Sequence, residues 1–212
     1  MLGQLQSLLT DFYDLEVAHD VADFLITDAG LASALDGGAR ASDEKLLIAE
    51  HGGDAEVSLF LHADLMDRLK ANDPVAALNE RNLADFWTAF EGVSHFIYFA
   101  WRASIDVPMT LFEMELQAEI DKFIVTALLL RRQGERPPKS LHHWLFQLPS
   151  FANDLSREEL LRYERANYYA AKYCGKLWPR LERRRDSEPL QRELRRFYRL
   201  SRPAKIDLIE AC

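Results

Sequence analysis

Glu91 and His95 are the only carboxylate and the only imidazole in residues 86–102, a segment that also holds Phe86, Trp87, Phe90, Phe96, Tyr98, Phe99 and Trp101. At 100° per residue, Phe86, Phe90, Val93, Ile97 and Trp101 form an apolar helical stripe, and Glu91, His95 and Arg102 fall together on the opposite side. Left in water, Glu91 and His95 make an ordinary pair one helical turn apart. Covered by another element, they would have displaced pKa values and could serve as an acid/base pair or as metal ligands.

Glu113, Glu115, Glu119 and Asp121 follow on the next predicted helix. Glu119 borders the core stripe of Phe112, Leu116, Ile120, Phe123 and Ala127. If the two helices pack antiparallel, Glu91, His95 and Glu119 converge on one metal ion, a carboxylate-rich donor set with one imidazole that helical bundles use for iron or manganese. The spacing here is Glu-x-x-x-His, whereas the dinuclear bundles take two Glu-x-x-His pairs and two further Glu. Surface carboxylates balanced by Lys122 and the helix N-terminal dipole are the competing reading.

A third group, Tyr163, Glu164 and Asn167, lies among further tyrosines at 168, 169 and 173. Asn167 falls on the apolar side of its helix and needs partners there. It is either a structural hydrogen-bonding group or, with Tyr163 and Glu164, the lining of a small cofactor pocket; which cofactor is unknown.

Charge is polarised along the chain. Twelve Lys/Arg against four acids in residues 172–205 leave −16 for the remainder of a chain whose net charge is −8. Arg192, Arg195, Arg196 and Arg199, together with Arg102 and the Arg183–Arg184–Arg185 run, are candidates for docking an acidic partner, although docking of the arm on its own acidic body is the favoured expectation. A pI of about 5.3 speaks against general affinity for nucleic acid.

The elements that must position these groups are mostly helical. Leu2, Leu5, Leu8, Leu9 and Phe12 predict an amphipathic helix; residues 21–27 fit helix or strand, and residues 30–42 read as a loop. Residues 45–50 and 56–62 flank His51-Gly52-Gly53-Asp54 as a β-hairpin. Helices are expected over 64–70, from Asp73-Pro74, over 82–104, from the capping box at Thr110 to Arg132, over 140–148, from Ser156 to Trp178 with a stop at Pro179, and over 188–200. The fold class is α+β, a predominantly helical bundle with a small antiparallel hairpin or sheet near residues 45–62. An acidic region 1–132 and a helical region 140–212 with the basic arm are expected to pack as one domain.

The longest apolar run, residues 123–130, is far shorter than the ~20 residues a membrane helix needs. The first basic residue is Arg40, and the two cysteines, Cys174 and Cys212, form neither a disulfide framework nor a metal spacing. A cytoplasmic protein is the expectation. With no phosphate-binding glycine loop, nucleophile elbow or zinc motif, the leading expectation is a non-enzymatic interaction or regulatory protein with a protein partner or a second copy of itself. The alternative is a metalloprotein or enzyme centred on Glu91, His95 and Glu119, and the third is nucleic-acid binding by the basic arm.

Overall fold

Leu2, Leu5, Leu8 and Leu9, spaced for one helical face, are all buried on α1 (Leu2–Tyr13). The computed structural model describes residues 1–38, 42–52, 54–148, 155–182 and 187–211; Arg183–Arg185 and Cys212 lie outside the described residues. After a single 3-10 turn (Val21–Phe24), the ambiguous stretch 21–27 ends in a two-residue strand, β1 (Leu25–Ile26). The expected loop is in part a helix, α2 (Ala29–Leu35), because Asp28 caps it by accepting from Leu31 N at 2.8 Å.

The hairpin forms as expected. β2 (Glu44–His51) runs antiparallel to β3 (Asp54–Leu61), β1 pairs with β3 in parallel, and the order is β1-β3-β2. Gly52 takes φ 62°, which the tight turn requires. Leu59 and Leu61 belong to the main core, whereas Leu47 and Phe60 form a small second cluster with Ala32 on the other face.

α3 (Ala63–Ala71) is followed by turns rather than by the helix expected from Asp73. Two amides satisfy that backbone instead. Asn82 donates to Ala77 O and Asn72 O at 2.9 and 3.1 Å, and Gln133 accepts from Leu78 N at 2.8 Å while donating to Pro74 O at 2.9 Å.

α4 (Leu83–Ser104) and α5 (Leu111–Arg132) form the centre. Trp87 to Thr126, Glu91 to Lys122, Ser94 to Asp121 and Arg102 to Glu113 pair in opposite directions along the two helices, so they are antiparallel. The capping box is present: Thr110 Oγ1 accepts from Glu113 N at 3.2 Å, and Glu113 Oε2 accepts from Thr110 N at 2.9 Å. α4 is buried on both sides, including Ser94, His95, Tyr98 and Arg102, so Phe96, Tyr98 and Trp101 are covered by the chain's own elements, whereas Trp87 and Phe99 are half-buried.

α6 (Leu141–Phe146) and α7 (Arg157–Glu182) cover α5. α7 continues through Pro179, because burial of Leu177 and Leu181 anchors its last turns. α8 (Ser187–Arg199) caps the far end of α1: Arg195 donates to Phe12 O and Asp11 O at 2.8 and 3.0 Å, and Arg199 to Tyr13 O and Asp14 O at 2.9 and 2.6 Å. α9 (Arg202–Glu210), which the sequence pattern did not suggest, sends Lys205 into the core. One hydrophobic core takes residues from α1 through α9. The fold is thus α+β and mostly helical, with a small mixed sheet. Among the described residues no helix is long and apolar enough to cross a membrane.

Candidate metal centre

β2, α4, α5 and α7 bring together a polar cluster at the end of the sheet. Glu44 is the first residue of β2 and pairs in register with Leu61, so strand alternation puts it on the same face as Leu46, towards α4. It can reach α4 because residue 92 is glycine: a Cβ there would stand 2.6 Å from Leu59 Cδ1 and 2.9 Å from Glu44 Oε1. Gly92→Ala is therefore expected to displace Leu59 and Glu44 and to destabilise the fold by about 1–3 kcal/mol, read by urea denaturation; unchanged stability would contradict this close approach of the sheet to α4.

His95 lies between two carboxylates. Its Nδ1 is 3.5 Å from Glu44 Oε1, and its Nε2 is 3.3 Å from Glu115 Oε2. Both separations are longer than well-formed hydrogen bonds, and Glu44 Oε1 and His95 Nε2 are buried without a hydrogen-bond partner. Ligand atoms of Glu44, Glu91 and His95 all lie within 4.8 Å of one another. The Glu44–His95 separation is that of an ion pair, and it is also close to the roughly 3–3.5 Å between two ligands of one ion bound at about 2.0–2.2 Å.

Two cations flank the cluster. Behind the imidazole, Glu115 lies 4.0 Å from Arg162 Nε. Lys122 donates to Glu91 Oε2 at 2.6 Å and to Glu119 Oε1 at 2.8 Å. Burial opposes charging of His95, but Glu115 and Glu44 outweigh it and hold the imidazole well above the usual histidine range. Burial raises Glu44 and Glu119, whereas at Glu91 the neighbouring Lys122 ammonium overcomes burial and lowers it.

A second buried network lies beside the first on the same two helices. Asp121 accepts from Ser94 at 2.6 Å, from Tyr13 at 2.7 Å and from Gln117 at 2.8 Å. Burial pushes it up to about 6 against the pull of these three donors. Lys205 donates to Gln117 Oε1 at 2.8 Å and Tyr98 OH at 3.2 Å, and burial lowers it to about 7.

Of the expected metal ligands, Glu91 and His95 meet, and Glu44 lies in the same group, whereas Glu119 is held by Lys122 beside them. Glu115, expected as a surface carboxylate, is only 6% exposed because Arg162 and Tyr163 of α7 lie against it. Of the third group, Tyr163 lies under the Arg162 guanidinium at 5.3 Å, Glu164 is exposed, and Asn167 donates to Phe146 O at 2.9 Å. Arg102 is no surface anchor, being 4% exposed and paired with Glu113 at 3.0 Å. Arg195 and Arg199 are engaged with α1, which leaves Arg192 and Arg196 exposed. Compared with known proteins, the chain matches no family model, no curated protein and no solved structure.

Proposed function

We propose that this chain is a metalloprotein that binds one divalent first-row transition-metal ion through Glu44, Glu91 and His95 Nδ1. The observation that carries this reading is the buried, unpartnered Glu44 Oε1 facing His95 Nδ1 at 3.5 Å, with Glu91 inside the same 4.8 Å group. Two carboxylates and an imidazole suit manganese, iron or zinc. His95 Nε2–H would point at Glu115, the carboxylate–histidine–metal arrangement that fixes the tautomer of a ligating ring.

Charge supports a dication. Four carboxylates, Glu44, Glu91, Glu115 and Glu119, surround two fixed cations, Lys122 and Arg162, with His95 neutral once it ligates. Two positive charges are missing, and an ion of charge +2 supplies them without leaving a buried excess. Three protein ligands leave room for water or substrate, as in Lewis-acid sites rather than closed structural ones. The balanced charge favours a neutral group in that place.

The interaction-protein reading draws on exposed Arg192 and Arg196 and on exposed Leu161 and Tyr168 of α7. Its main sequence argument, surplus aromatic surface on the central helix, is reduced to the half-buried Trp87 and Phe99, since Phe96, Tyr98 and Trp101 are buried.

Equilibrium dialysis against Zn2+ and, separately, Mn2+ decides between them when metal per chain is counted by plasma mass spectrometry. About one ion per chain is expected, with most of it lost in His95→Ala and Glu44→Gln variants whose circular dichroism is unchanged. A metal-free wild type, or variants that keep the ion, would overturn the metal reading.

A further inference from the structure

We infer that Lys122 is a built-in replacement for a second metal ion, and that its ammonium holds this centre to one ion where the surrounding carboxylates could otherwise take two. The inference rests on the metal reading above.

Glu91 belongs to two groups at once. It lies within the Glu44/His95 set, and its Oε2 accepts from Lys122 Nζ at 2.6 Å. A carboxylate shared between two cations is how helical bundles assemble dinuclear centres. Here the second cation is the Lys122 ammonium, whose other carboxylate partner is Glu119 Oε1 at 2.8 Å. The side chain is 8% exposed, and Thr126 donates to the Lys122 carbonyl from within α5, so the ammonium is delivered from inside the bundle.

A buried lysine without such partners would shed its proton. Lys122 has both partners at ion-pair distance, Glu91 Oε2 at 2.6 Å and Glu119 Oε1 at 2.8 Å, with its side chain 8% exposed. The ammonium acts by volume and by charge. It fills the space between Glu91 and Glu119, and it brings one positive charge where an ion would bring two. Adding a second dication beside it would leave two uncompensated charges in a largely buried site, a cost of the kind that keeps such ions out.

The test counts ions per chain by native mass spectrometry after dialysis against excess Zn2+. Wild type should carry about one ion, Lys122→Ala about two, and Lys122→Ala with Glu119→Gln about one again. Thermal unfolding with and without Zn2+ supplies a second readout: the alanine variant should gain more stability from the ion than wild type does, because the ion then also neutralises Glu91 and Glu119. One ion in both wild type and Lys122→Ala would overturn this inference while leaving the metal reading intact. An alanine variant that stays unfolded at saturating Zn2+ would also overturn it, since the ion could not then stand in for the ammonium. No ion in wild type would overturn the metal reading itself.

Discussion

Asp121→Ala is expected to lower the unfolding free energy by about 3–5 kcal/mol, among the largest losses for a single substitution in this chain. Ser94 and Tyr13, both buried, lose their acceptor together, and Gln117 keeps only a long bond to Tyr13 OH at 3.4 Å. Each buried donor left without a partner costs about 1–3 kcal/mol. Lys205 also loses the opposing charge that most favours its ammonium, which adds to the penalty below about pH 7. Urea denaturation at pH 8 measures the deficit. Because folding raises Asp121 from 3.8 to about 6, the folded state holds its proton more tightly, and the group's contribution is fully present at acid pH and falls as pH rises through 6. The deficit of the variant should therefore be larger at pH 4.5 than at pH 8. A loss below about 1 kcal/mol would show that Asp121 organises nothing.

Zn2+ affinity is expected to rise with pH from 6 upwards, by at most about tenfold per pH unit for the one proton displaced. Without metal, His95 is held charged between Glu44 and Glu115, well above the usual histidine range, so an ion must displace a proton to reach Nδ1. Titration calorimetry at pH 6, 7 and 8 in buffers of different ionisation enthalpy reads both the affinity and the proton released. The sign reverses for the metal-free protein. A histidine with a raised folded pKa contributes stability that is fully present below its unfolded value and is lost as pH rises through the folded one. Metal-free stability from this pair should fall with rising pH while metal affinity climbs. A pH-independent affinity would place the ion away from His95.

Glu91 and His95 were legible because a charged pair is conspicuous in an aromatic helix, and the short connection to the next helix brought α5 alongside. Glu44 was not, for two physical reasons. The strand begins one residue earlier than its apolar run suggests, and 47 intervening positions hide the approach of the sheet to α4. Gly92 is the one local signal that could have found it, since a glycine within a long helix often marks close contact with another element. For Glu119, helical spacing gives a side of the helix but not its neighbour Lys122, which donates to it at 2.8 Å. Glu115 and Arg102 looked like surface groups because burial by α7 and by the 105–110 connection is a tertiary effect that periodicity does not carry. α9 escaped notice because its buried anchor, Lys205, is a residue type almost never found fully inside unless paired.

Anomalous diffraction from crystals grown with Zn2+ tests the location most directly. The expected result is a single peak about 2.0–2.2 Å from His95 Nδ1 and from one oxygen each of Glu44 and Glu91, with His95 Nε2 turned towards Glu115. A peak on Nε2, or between Glu119 and Glu115 with Glu44 uninvolved, would contradict the proposed centre.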